Sequence, residues 1–368
     1  MTILTEDMIN DWVDDESSIV ALHMRQKLVP VEGEGAVIFP PTYADIGYNI
    51  DTLSDGTKVC TIDSVGSQAN RMEPIFKRDD LKHLVPQIDI AYGNEKSVSI
   101  LEAGHRLGDA IIRSTELQKE AQNAFRAFLD RSDAEPIARL APTSLVFGVW
   151  DSRDTQAKLP RIVQSVIRAW DVSILHRAAQ YIPPLEYVAE GLLEEPKDKS
   201  EADQRSSKGY QHAPAIWRDD GRKERVLGGI VARGPIQRDV TVNLIALRRL
   251  SASPERTAAL RRYILGLAVL AAIEPVDGFL RAGCLLTPDP DAPGDWSMVT
   301  RNGSRSDLSF NSAAVLRFAE HATEIFGRGP DRPIKFNAEL AKDDVKKTDK
   351  KKGKSKAENS DGGVDKAT

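Results

Sequence analysis

Apolar residues recur along this chain at two periods. In RIVQSVIRAWDVSI the period is two. Val163, Ser165, Ile167 and Ala169 share one face, and Gln164, Val166, Arg168 and Trp170 share the other, which predicts a half-buried strand. In CTIDSVGSQANRMEPIF (about 59–76), Ile62, Val65, Ala69, Met72 and Ile75 recur at helical spacing and predict an amphipathic helix. ILEAGHRLGDAIIRS (about 101–115) predicts a second, with Leu107, Ala110 and Ile111 inward, and VPQIDIAY between them predicts a strand. Residues 116–140 predict helix, with Phe125, Phe128 and Leu129 inward, and the nearly all-apolar SLVFGVW predicts a buried central strand. SIVALHMRQKLVPV fits either a helix ending before Pro30 or a strand. VLGGIVARG and IQRDVTVNLIALRRL predict two strands joined by a Gly-Pro turn, with Gly228 and Gly229 leaving room for a ligand or another backbone. Ser253-Pro254 opens a long helix, LRAGCLLTP is a strand, and SFNSAAVLRFAEHATEIFG is an amphipathic helix stopped by Gly327.

Helices and strands thus mix irregularly, and the expected class is α+β. Three composition breaks divide the 368 residues. Residues 1–40 form an acidic N-terminal segment, with eight acids against Arg25 and Lys27. A body follows over 41–335, interrupted at about 195–225 by a polar, aperiodic insertion too long for an ordinary connection. The Lys-rich tail, 336–368, is expected to be disordered. The net charge of −5 argues against a general nucleic-acid binder, although a near-neutral body can still line one groove with arginines. Two cysteines far apart, Cys60 and Cys284, suggest a reducing cytoplasm. No basic-then-apolar leader and no long apolar run is present, so neither secretion nor a membrane is expected.

Candidate chemistry gathers in the 59–113 stretch. Ser64, Ser67, Gln68 and Arg71 form an uncharged-polar stripe ending in one arginine, either an ordinary solvated face or a set of donors for sugar and phosphate. Glu102, His105 and Asp109 share a face, but without a second ligand pair no metal is expected. The polar loop DSRDTQAKLPR at the end of an apolar run carries Arg153, Lys158 and Arg161. Arg168 beside Trp170 fits a single-strand stacking site, or equally a Trp under an Arg stem.

Four strings in order, SVGSQANRMEP, LEAGHRLGDAIIRS, TSLVFGVWDSR and LPRIVQSVIRAWDV, resemble the signature blocks of the backbone subunit of the type I-G (formerly I-U) CRISPR Cascade, in the RAMP superfamily. The resemblance spans roughly 40–330. It implies a ferredoxin-like (RRM-type) core with long thumb or finger insertions. It implies copies stacked head to tail along a CRISPR RNA, with target DNA reached through the guide. It also implies a Cascade large subunit and a fused RNA-processing and cap subunit as partners. On it the RNA contacts are Ser64, Ser67, Gln68, Asn70, Arg71, His105, Arg106, Arg153, Arg161 and Arg168, with no catalytic residue, metal or cofactor. Relatives that cut RNA with an aspartate supply the alternative, a metal-dependent ribonuclease using Asp109, Asp151 or Asp154.

Overall fold

The computed structural model describes residues 2–346 apart from 45, 178, 179, 215, 216, 220, 221 and 225. Helix α1 (Glu6–Val13) is capped by Thr5, whose hydroxyl accepts from Met8 N at 3.3 Å, and buries Ile9, Trp12 and Val13. Strand β1 (Ile19–Pro30) follows, so the acidic first 40 residues supply the centre of the sheet rather than an appendage. SIVALHMRQKLVPV is therefore a strand, its Leu22, Met24 and Leu28 buried on one face.

The stretch expected as one helix over 59–76 is two elements. Its first half is strand β2 (Lys58–Asp63) and its second is helix α2 (Val65–Met72), continued as a 3-10 turn through Lys77. Val59, Cys60, Thr61 and Ile62 favour extended backbone, and Ser64 starts the helix as its N-cap. The second expected helix is also broken, into short 3-10 turns and a four-residue helix, Ala110–Arg113. Arg106 sits at φ +51° and Asp109 opens a new N-cap, which resets the helical phase. Ile112 is consequently buried, while Ala110 is exposed and Ile111 half-buried. Helix α3 (Gln118–Arg131) buries Phe125 but turns Leu129 outward. SLVFGVW is not a central strand: Thr143–Val146 is helical, Gly148 turns at φ +77°, and only Val149–Trp150 is extended.

Strand β3 (Val163–Trp170) alternates as expected, with Val163, Ser165, Ile167 and Ala169 inward, and strand β4 (Ile236–Asn243), expected as a strand, alternates too, with Ile236, Arg238, Val240 and Val242 inward. Helix α4 (Leu244–Arg248) ends the second of these stretches. Helix α5 (Pro254–Ile273) begins at Ser253-Pro254 and is buried nearly all round. Strands β5 (Asp295–Thr300) and β6 (Arg305–Ser309) precede helix α6 (Ser312–Phe326), which stops at Gly327. A Cβ at Gly266 of α5 would lie 2.9 Å from Ala319 Cα of α6, so glycine permits their close packing.

The middle of a ten-stranded sheet runs β6-β5-β1-β4-β3-β2, each of these neighbours antiparallel, and at its edge Thr2–Ile3 pairs parallel with β6. Counting β1, β3, β4 and β5 as first to fourth, the spatial order is fourth, first, third, second. Helices sit in the first-to-second and third-to-fourth connections. That is the ferredoxin-like arrangement, and the α+β expectation holds. Helices cover one face. The other carries His23, Arg25, Lys27, Arg168, Gln237, Asp239 and Thr241, the polar, uncovered side that an antiparallel sheet tolerates.

The insertion is longer than its polar stretch. Val172–Arg177 pairs with Val226–Ala232 as a two-stranded stalk carrying the residues between, including a helix at Lys199–Ser207 capped by Asp198. Gly229, at φ +97°, admits a backbone: Ile38 and Ile230 exchange N–H···O bonds of 3.0 and 2.8 Å, and a Cβ there would lie 2.8 Å from Ile38 O. Residues 338–346 of the expected tail are helical, started by Asn337 and tied by Arg113 to Asp344 at 3.2 Å. The remainder of that tail, 347–368, lies outside the described residues.

Candidate nucleic-acid interface

Helix α2 stands over β3, and its polar stripe divides between two jobs. Ser64 and Ser67 close the N-terminus: Ser64 Oγ accepts from Ser67 N at 3.3 Å and lies 3.1 Å from Ser67 Oγ. Gln68 turns inward. Its Nε2 donates to Asp63 Oδ2 at 2.6 Å and its Oε1 accepts from Ser165 Oγ at 2.7 Å. Ser165 in turn accepts from Arg238 Nε at 3.1 Å. Arg71 donates to Asp63 at 3.1 Å and to the Leu280 carbonyl at 3.0 Å. Burial raises the Asp63 carboxyl, and Gln68 and Arg71 oppose that. The expectation that the whole stripe faces a ligand is therefore corrected. Gln68 is fully buried and Arg71 is tied to carboxylate and backbone, because the stripe lies over Ser165, the one polar residue on the inner face of β3.

Arg106 is also an internal residue. Its Nε lies 2.7 Å from Glu73 Oε2, with both side chains under 5% exposed. Its Nη1 donates to Gly148 O at 3.3 Å and its Nη2 to Asn70 Oδ1 at 3.2 Å, with the guanidinium 5.3 Å from the Phe147 ring centre. Burial pushes the Glu73 carboxyl up to about 7 against the pull of Arg106. This pair pins α2, the 104–109 loop and the Gly148 turn together.

What remains exposed at that junction is a short rim. Asn70 and His105 are exposed, and a Cβ at Gly104 would lie 3.5 Å from the Asn70 amide. Val149–Trp150 pairs with Lys158–Leu159, closing a loop that carries Arg153. Trp150 is 55% exposed, with Lys158 Nζ 5.6 Å from its ring centre. Arg161 follows at the start of β3. Glycines make its place: a Cβ at Gly148 would lie 2.8 Å from Arg161 Cγ, and one at Gly66 would lie 3.9 Å from its Nη2. Among the described residues Arg161 has no hydrogen-bond or ion-pair partner, and its Nε is shielded from solvent. A lone guanidinium thus lies beside the first turn of α2, where backbone N–H groups lack intrahelical partners.

Six of the ten candidates gather here, Ser64, Ser67, Asn70, His105, Arg106 and Arg161, with Arg106 buried as their support, and Arg153 lies on the loop that Trp150 and Lys158 close. Arg168 does not join them. It pairs in register with Thr61 and Gln237 on the uncovered sheet face, opposite Ser165 and α2. Trp150 was hidden in an apolar run read as a strand interior. Arg238 shares the inward phase of Ile236 and Val240, a signal present in the alternation itself.

The aspartates of the ribonuclease alternative have structural partners. Asp109 caps Ile111 N at 3.1 Å, Asp151 accepts from Thr155 N and Oγ1 at 2.8 and 2.7 Å, and Asp154 accepts from Gln122. Among the described residues no group of three or more His, Cys, Asp or Glu is placed to hold a metal. Nor is any helix long and apolar enough to cross a membrane.

Residues 22–174, less than half of the chain, match the model of the family described as CRISPR-associated protein GSU0053. Among solved structures the chain is similar to a chain of a "CRISPR RNA-guided surveillance complex, pre-nicking", with 12% identity and a TM-score of 0.36 over 84% of this chain and 90% of that one. No curated protein matches.

Proposed function

We propose that this chain is a CRISPR RNA-binding backbone subunit of a type I-G Cascade surveillance complex, and that the rim around Arg161 grips the guide's sugar–phosphate chain. The observation that carries this is Arg161 itself, a guanidinium without a partner among the described residues, set between two glycines at a helix start. Trp150 under Lys158 adds an aromatic face of the kind on which unpaired bases stack. Ser64, Ser67, Asn70, His105 and Arg153 supply neutral and charged donors that serve any guide sequence, since backbone contacts carry no base information. The matched family segment includes all of these residues.

In this reading the chain binds RNA and catalyses no reaction. Copies line up head to tail along the RNA in the cytoplasm, beside a large subunit and a fused RNA-processing and cap subunit, and target DNA pairs with the exposed guide bases. The stalk and its insertion act as the thumb pressing on the guide. A heterologous contact of this kind need not close, which suits a filament. The test is co-expression of the full chain with its repeat array. Purified wild type carries RNA of one uniform length, and Arg161→Ala carries less of it with an unchanged fold. Protein that emerges monomeric and free of nucleic acid refutes the reading.

A further inference from the structure

A second cluster of arginines lies elsewhere on the molecule, in a cavity of about 250 Å³ lined by Asp15, Ile245, Arg248, Arg249 and Arg301. Two arginines on its inner side are spent on backbone carbonyls. Arg248 donates to the Trp12 and Ile19 carbonyls at 3.0 and 2.8 Å. Arg261, just behind, donates to the Val13 and Leu250 carbonyls at 3.0 and 2.9 Å and pairs with Asp15 at 3.0 Å. These two buried arginines satisfy carbonyls that the helix leaves open and spend their donors doing so. The outer pair is different. Arg249 is exposed, with no hydrogen-bond or ion-pair partner among the described residues, and Arg301 makes one long side-chain contact, 3.4 Å to the Asp15 carbonyl. The charges that reach Arg248 are those of Arg301, Arg261, Asp15 and Asp11, so three guanidiniums stand against two carboxylates, and Arg249 lines the same cavity. Burial first, and then Arg301, holds Arg248 below its ordinary value. The excess charge and unspent fork donors call for an anion, and a planar guanidinium matches phosphate bidentately.

The place of this cavity in the sheet says which anion. Arg249 follows α4, which leaves the end of β4. Asn243 N there donates to Ile162 O at 2.8 Å, next to Arg161. Arg301 N donates to Ser18 O at 2.9 Å, at the start of β1. Arg161, Arg249 and Arg301 thus mark one end of the sheet, and β3 to β5 is three strand spacings, about 15 Å. From this we propose that the Arg249–Arg301 cavity is a second phosphate site, holding a phosphodiester of the same single strand that Arg161 grips. It rests on the reading of Arg161 given above.

The test uses the full chain and a fluorescein-labelled, unstructured RNA of about 12 nucleotides, titrated from 50 to 300 mM salt, with inorganic phosphate as a second probe. Both side chains are exposed, so Arg249→Ala/Arg301→Ala is expected to fold. It is expected to weaken RNA binding roughly tenfold and to flatten the log–log salt slope by about 1.4, two single-strand contacts of about 0.7 each. Unchanged affinity and slope in that double variant, while Arg161→Ala weakens binding, overturn the second site and leave the first standing. Wild type that binds no RNA refutes the underlying reading, and the cavity is then judged by phosphate alone. Saturable phosphate binding lost in the double variant supports an anion site, and its absence overturns one. Phosphate binding lost in the double variant while RNA binding is unchanged shows a free-phosphate site and overturns the shared-strand proposal.

Discussion

Replacing Glu73 by Gln tests whether burial holds a proton on Glu73 beside Arg106. The wild-type carboxyl sits at about 7, raised by burial, with Arg106 2.7 Å away. An unfolded glutamate titrates near 4.3. Between those values the folded chain holds a proton that the unfolded chain has lost. The stability this contributes is therefore fully present below about 4.3 and is lost as pH rises through about 7. That gap of about 2.7 corresponds to about 4 kcal/mol in all, of which roughly 3 falls between about pH 4.5 and 8. Gln keeps the shape and one acceptor but cannot ionise. The unfolding free energy of Glu73→Gln, measured by urea denaturation from pH 4.5 to 8 and subtracted from wild type, should therefore change by about 3 kcal/mol across that window, with the variant gaining on wild type as pH rises. Arg106→Ala makes the complementary case. It leaves a buried carboxylate unpaired and should cost about 3–5 kcal/mol near pH 8, and less near pH 5, where Glu73 accepts a proton. A wild-type minus Glu73→Gln difference that stays flat from pH 4.5 to 8 refutes the account of this pair.

Three further outcomes are expected. Gly148→Ala forces a Cβ to within 2.8 Å of Arg161 Cγ at φ +77°, so it should cost about 1–3 kcal/mol in urea denaturation and weaken RNA binding by displacing Arg161. Arg238→Met should be neutral or stabilising, because burial already pulls this guanidinium down to about 10 and its Nη2 has no partner; a loss above about 3 kcal/mol contradicts that. Trp150→Ala, at a 55% exposed position, should leave the melting temperature within a few degrees of wild type while weakening single-stranded RNA binding by about 1–3 kcal/mol, read by fluorescence anisotropy.

Much of the sheet was legible because period two survives in β3 and β4, down to the inward Ser165 and Arg238. The ends of α5 and α6 were legible from Ser253-Pro254 and Gly327, local signals that tertiary packing did not override. The 59–76 stretch misled because buried positions of a short strand and of the next helix, Ile62, Ala69 and Met72, happen to fall at helical spacing. SLVFGVW misled for a different reason. Its apolar run fits a buried helical turn as well as a strand, and only Gly148 at positive φ separates the two. The candidate interface was found by residue type but not by role. By residue type Gln68 and Arg106 read as free donors, and no periodicity shows that Asp63, Ser165 and Glu73 take them up from other elements.

The central claim is that a lone guanidinium at the start of α2 holds a phosphate of the guide. A structure of the chain bound to its RNA measures this directly. The account predicts an RNA phosphate within about 3 Å of the Arg161 guanidinium, a charge-assisted contact, with a base against Trp150. RNA that passes along another face, with Arg161 left facing water, contradicts it.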